Sequence, residues 1–146
     1  MSEIDNSGIK ETLMTELGEK PTLGICLGMQ ILCKIGFEFE ETKGLNFFNA
    51  EVVPIKCNGK IPRMGFGKID ITRKESSLFE GITDEDEFYF MHSYEVVNYT
   101  DVTALSTYCD HQYVCSIQKE NLFGVQFHPE KSRDAGIRIF QNFINL

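Results

Sequence analysis

Between Pro21 and Gly36 an apolar segment, Thr22-Leu23-Gly24-Ile25-Cys26, runs straight into a helical one, about Leu27 to Ile35. The first segment lacks polar alternation, so both of its faces need cover. Strands of that kind belong inside a parallel sheet with helices packed on it. Upstream, Ile9, Leu13 and Leu17 recur at i, i+4 and i+8 within residues 7–17, one face of a helix closed by Gly18. Helix, buried strand and helix in so short a span predict an α/β fold.

The middle of the chain has another rhythm. Glu51-Val52-Val53, Lys68-Ile69-Asp70-Ile71, Glu87-Phe88-Tyr89-Phe90-Met91 and Tyr94-Glu95-Val96-Val97 are short β-type runs. Val102 to Thr107, Tyr113 to Gln118 and Leu122 to Phe127 continue them, the last two joined by Lys119-Glu120-Asn121. Such close spacing predicts an antiparallel region appended to the α/β core. The end is helical: Ser132 is the expected N-cap, and Ile137, Phe140, Phe143 and Ile144 form the expected apolar stripe. With no repeat, linker or low-complexity tract, residues 1–146 read as one domain.

Charge narrows the function. With 14 Lys and Arg against 22 Asp and Glu, the net charge of −8 repels phosphate backbones and anionic lipid, which argues against nucleic-acid or membrane partners. The acidic start, Met1-Ser2-Glu3-Ile4-Asp5, is unlike a signal peptide. Five cysteines, at 26, 33, 57, 109 and 115, contain no Cys-x-x-Cys pair, so neither a zinc ribbon nor a disulfide framework is expected. A cytoplasmic protein with free thiols, without metal or cofactor, is the expectation.

One thiol stands apart. Gly24-Ile25-Cys26-Leu27-Gly28 is the cysteine counterpart of the nucleophile elbow, a sharp strand-to-helix turn that exposes the reactive side chain. Glycines make room for the turn, and the helix N-terminus favours a thiolate at Cys26. The Leu27 backbone N–H then points to where a tetrahedral oxyanion forms. The plain alternative is a small apolar residue closing a buried strand. For Cys33, expected on the following helix, and for Cys57, Cys109 and Cys115, that reading is preferred.

A thiol nucleophile needs a base. His128 ends an apolar strand, Pro129 stops it, and Glu130 can fold back to hold the imidazole, giving a Cys26–His128–Glu130 triad. His111, in Cys109-Asp110-His111-Gln112, reads as a solvated turn residue.

Two blocks, Pro21-Thr22-Leu23-Gly24-Ile25-Cys26-Leu27-Gly28-Met29-Gln30 and Phe123-Gly124-Val125-Gln126-Phe127-His128-Pro129-Glu130-Lys131-Ser132, resemble the signatures of class I (triad) glutamine amidotransferases. Lys43-Gly44-Leu45 and Phe88 to Tyr94 resemble, within that family, the glutaminase subunits of imidazole glycerol phosphate synthases of histidine biosynthesis. The resemblance implies a flavodoxin-like α/β domain. It also implies that Cys26 attacks the amide of L-glutamine, that His128 serves as base and then acid, and that Glu130 orients it. Gly28, Gln30, Ser93 and Tyr94 are implied to bind the substrate. Ammonia is implied to pass to a (β/α)8-barrel synthase in a heterodimer.

Two departures from the family pattern carry expectations of their own. An opening segment of the family, with early strands and a glycine-rich turn giving a second oxyanion N–H, has no counterpart here. The isolated chain is therefore expected to be nearly inactive. Met64-Gly65-Phe66-Gly67 stands where the family has Met-Gly-Trp-Asn, which equally suits paralogues that supply ammonia for sugar amidation in surface polysaccharides. A stand-alone γ-glutamyl hydrolase and a catalytically silent binding subunit are the competing readings.

Overall fold

The computed structural model describes residues 1–146, the side chain of Ser2 excepted. The elements in order are α1 (Ser2–Asn6), α2 (Lys10–Glu19), β1 (Thr22–Ile25), α3 (Leu27–Leu32), β2 (Cys33–Gly36), β3 (Thr42–Lys43) and β4 (Phe48–Pro54). They continue with β5 (Arg63–Gly67), β6 (Asp70–Ile71), β7 (Phe88–His92), β8 (Tyr94–Val97), β9 (Val102–Tyr108), β10 (His111–Lys119), β11 (Leu122–Val125) and α4 (Arg133–Ile144). The main sheet runs β1-β11-β10-β8-β4-β2-β3, with β9 paired to β10 and β6 to β9; β5 and β7 form a separate antiparallel pair. Parallel pairing joins β1 to β11 and β2 to β4, and the rest is antiparallel, so the expected α/β core with an antiparallel middle is present. No helix among the described residues is long and apolar enough to cross a membrane.

The core follows from strand periodicity. Alternate residues of β11 serve opposite faces. Phe123 and Val125 join Phe88, Phe90, Phe127 and Ile139 in one apolar cluster. Leu122 joins Met29, Leu32, Phe48 and Val96 in the other. A Cβ on Gly124 would lie 2.8 Å from the Met29 side chain, so α3 rests directly on β11 backbone.

Several expectations change. The helix expected over residues 7–17 is α2, which starts at Lys10, runs past Gly18 to Glu19 and buries no residue; Ile9 is exposed, because its stripe meets only the rim of the second cluster through Leu17. Within β1 only Gly24 is buried, since β1 pairs on one side alone, with β11. The helix after Cys26 ends at Leu32, and Cys33–Gly36 is a strand between β3 and β4. Sheet pairing outweighs helical propensity there, with Cys33 buried at the strand start. On α4 the buried face is Ala135, Gly136 and Ile139, whereas Ile137 and Ile144 are exposed. Close approach to the Pro129–Lys131 turn selects the smallest residues of the helix. The strand β5, unforeseen from sequence, has glycines that break its hydrophobic pattern.

Arg63 and Gly67 explain each other. The Arg63 guanidinium lies 3.8 Å from the Phe90 ring and donates to Ser106 Oγ at 3.2 Å. A Cβ on Gly67 would collide with Arg63 Nη2. Glycine at 67 leaves the space that the guanidinium occupies.

Candidate active site

Cys26 follows the last residue of β1, and its N–H donates to the Val125 carbonyl at 2.7 Å. Its φ of 50° lies in the left-handed region, a strained conformation for a residue with a side chain. That strain marks the elbow. Room for the turn is needed at Gly24, where a Cβ would lie 2.8 Å from the backbone of Gly28 and Met29, but not at Gly28, where nothing lies within 4 Å. Gly24→Ala is therefore expected to destabilise by about 1–3 kcal/mol. Gly28→Ala, inside a helix, should be neutral or stabilising by up to about 1 kcal/mol. Urea unfolding of the two variants measures the difference.

His128 lies beyond β11, the parallel neighbour of β1, and its N–H donates to Tyr89 O of β7 at 2.8 Å. Nδ1 is 2.7 Å from Glu130 Oε1, so the carboxylate holds the proton on Nδ1 and leaves Nε2 as the base. Nε2 is buried without a hydrogen-bond partner among the described residues. Ser132 closes the arrangement: its hydroxyl donates to His128 O at 2.6 Å and accepts from Tyr89 N at 2.9 Å. Ser132 thus precedes α4 as expected, but its side chain clamps the His128 segment and makes no cap bond.

The expected lowering of the Cys26 thiol pKa does not occur. Burial pushes it up, and the Leu27 N–H and the Gln126 amide offset that only in part. The helix behind it has just six residues, too short for a strong dipole. No hydrogen bond joins Cys26 to His128; Sγ lies 3.8 Å from Met91 O and accepts from Gln126 Nε2 at 3.4 Å. Gln126, fully buried, escaped the sequence reading because it sits inside an apolar run.

A cavity of about 190 Å³ opens beside the elbow, with Leu27, Gln30, Glu38 and Tyr94 in its walls. Gln30 donates to Tyr94 O at 3.4 Å and to Gln126 Oε1 at 2.9 Å, leaving its own oxygen to offer a ligand. Gly28 and Ser93 do not line this cavity. Glu38, a carboxylate suited to an ammonium group, was missed because it falls in a charged turn, Phe37-Glu38-Phe39-Glu40, that reads as solvated. His111, far from being a free turn residue, lies within 2.9 Å of both oxygens of buried Glu95 and stacks on Tyr113.

The family profile described as Glutamine amidotransferase class-I matches residues 4–146. The chain belongs to the class I glutamine amidotransferases. It is 44% identical over 147 residues to the HisH component of imidazole glycerol phosphate synthase from Pelagibacter ubique, covering 96% of this chain and 70% of that protein. It is 43% identical to the HisH component from Pyrococcus furiosus, covering 94% and 72%. Among solved structures, a putative GMP synthase protein from Thermoplasma acidophilum superposes with a TM-score of 0.67 at 25% identity, covering 97% of this chain and 65% of that one. A glutamine amidotransferase structure gives 0.70 at 18% identity, covering 97% and 69%, a likeness of fold alone. The chain thus spans about two thirds of the length of such relatives.

His92, near His128, is a buried imidazole. His92 Nδ1 is 2.8 Å from Tyr94 O, and burial, with nearby Arg63 and His128, pushes its pKa down to about 4. An exposed imidazole titrates near ~6.5. The unfolded chain therefore takes up a proton that the native one refuses, and stability falls as pH drops from about 6.5 to about 4. The full difference is roughly 3 kcal/mol. His92→Gln keeps a donor for Tyr94 O without the titration. Denaturant unfolding at pH 7 and pH 4.5 is expected to show the unaltered protein losing roughly 2 kcal/mol more than this variant.

Proposed function

We propose that this chain is the glutaminase subunit of an imidazole glycerol phosphate synthase, acting in histidine biosynthesis. The observation that carries the reading is the elbow thiol of Cys26 at the end of β1, the Glu130-held imidazole of His128 beyond the paired strand β11, and a cavity walled by Gln30, Glu38 and Tyr94. Glutamine enters with its α-ammonium toward Glu38 and the Gln30 oxygen. His128 Nε2 takes the proton of Cys26, and Sγ attacks the side-chain carbonyl carbon. Charge builds on the carbonyl oxygen, which the Leu27 N–H stabilises. His128 returns the proton to the departing nitrogen, the C–N bond breaks, and ammonia leaves a glutamyl thioester. Water activated by the same imidazole then cleaves the C–S bond and releases glutamate.

Ammonia in water is protonated and lost as a nucleophile, so it must pass directly to a synthase subunit, read here as a (β/α)8 barrel. The proposed contact face centres on β5 and β7, where Met64, Phe66 and Met91 expose apolar surface. Arg133 lies 4.3 Å from the Phe66 ring and Lys131 5.7 Å from that of Tyr89. Residues 1–146 act as one amidotransferase unit in the cytoplasm. The test is glutamate formation by the chain with and without its cognate synthase and acceptor. Turnover that needs the synthase, and a complex at micromolar concentration, are expected. Maximal turnover alone, without complex formation, overturns the partner assignment. The Phe66-Gly67 pair, standing where the family has Trp-Asn, favours a second reading, a paralogue that supplies ammonia to a sugar acceptor; supplying each acceptor in turn separates the two.

A further inference from the structure

The polar groups around Cys26 form a chain with a fixed direction. Its anchor is the Tyr94 carbonyl, which can only accept. It accepts from His92 Nδ1 at 2.8 Å and from Gln30 Nε2 at 3.4 Å. The Gln30 contact therefore settles which end of that amide is nitrogen. The second proton of Gln30 Nε2 goes to Gln126, at 2.9 Å, so the group it meets must be Oε1. That leaves Gln126 Nε2 as the end facing Cys26 Sγ, at 3.4 Å. An amide otherwise free to turn its oxygen toward a thiolate is held with N–H forward by a backbone carbonyl two residues away in the chain of bonds.

Burial sharpens the consequence. Gln126, which follows β11 in the chain, is fully buried, so its amide has no water to trade for these bonds. A hydrogen bond to an ionised partner is about twice as strong as one between neutral groups. The arrangement is worth little to a thiol and much to a thiolate.

We propose that Gln126 is a thiolate-stabilising residue of this site, and that Gln30 acts on the same sulfur by holding the Gln126 amide with its N–H toward Cys26. The proposal rests on Cys26 being the nucleophile of the glutaminase reading. The charged groups beside Cys26 are Glu130, which opposes ionisation, and Lys131, which favours it, with His128 in the same segment. Met91 contributes only its carbonyl. The Gln126 amide is the neutral side-chain donor that the fold points at Sγ, and its effect runs against that of burial.

The experiment reads the sulfur rather than turnover. Iodoacetamide alkylation of the Cys26 peptide is followed by mass spectrometry from pH 6 to pH 9 in the whole chain. Gln126→Met, close in shape but without a donor, is expected to slow labelling at pH 7 about tenfold by moving the profile to higher pH. Gln30→Leu should move it in the same direction by less, since Gln126 keeps its donor but loses its orientation. A profile that stays in place for Gln126→Met, whatever happens to stability, overturns the proposal. A second measurement needs no altered core: the side-chain amide resonances of Gln126 in the unaltered protein should shift with the Cys26 titration and cease to do so in Cys26→Ala. Resonances that ignore the titration also overturn it. If Cys26 follows these expectations but is not the residue labelled by a glutamine-mimicking electrophile, the glutaminase reading fails and the role of Gln126 toward the sulfur stands.

Discussion

Cys26→Ala is expected to lower glutamine hydrolysis by at least ~10⁴-fold while leaving the fold intact, since removing the nucleophile of a triad leaves only binding and oxyanion contributions. The companion result is that a glutamine-mimicking electrophile labels Cys26 and no other thiol. Burial pushes the Cys33 thiol up to about 12 and raises that of Cys115 as well, so neither supplies thiolate near neutral pH. Cys57 and Cys109 are more accessible, but they lie between strands, β4 and β5 for the one and β9 and β10 for the other, and not at a strand-to-helix elbow. Glutaminase assays and peptide mapping of the adduct measure both. An adduct on Cys33 or Cys109, with Cys26→Ala still active, would sink the assignment.

The largest effect on stability is expected at Gly136, remote in sequence from the elbow. In α4 this residue faces the backbone of Pro129, and a Cβ there would overlap the Pro129 carbonyl. Backbone cannot rotate aside as a side chain can, so Gly136→Val must push the helix away from the Pro129–Lys131 turn. A loss of about 2–4 kcal/mol is expected, the range of overpacked cores. The same displacement moves His128 and Glu130, which flank Pro129, so activity should fall in the protein that remains folded. Thermal unfolding together with kcat per folded molecule separates the two losses. A variant as stable and as active as the parent would show that α4 does not set the position of the base.

The elbow and the His128–Glu130 pair were legible in the sequence, and what surrounds them was not. Gly24 to Gly28 announced a sharp turn because few residues tolerate it, and His128-Pro129-Glu130 placed an acid within reach of an imidazole by local spacing alone. Both are short-range facts, set by covalent geometry over a few bonds. The helix after Cys26 was read too long because Cys33 to Gly36 fits a helical pattern locally. Only pairing with β3 and β4, partners that a linear reading cannot see, makes it a strand. The α4 stripe was misplaced for a related reason: apolarity marks what can be buried, whereas proximity to Pro129 decides what is buried.

Residue types and their spacing by themselves determined the fold class, the elbow, the His128–Glu130 pairing and the family resemblance. Tertiary structure alone decided how the thiol is tuned. The raised pKa of Cys26 comes from burial in the folded chain, and the one neutral side chain that counters it, Gln126, takes its direction from Gln30 and the Tyr94 carbonyl on two other elements. Desolvation and hydrogen-bond direction depend on what surrounds a group in space, and a sequence records only what precedes and follows it.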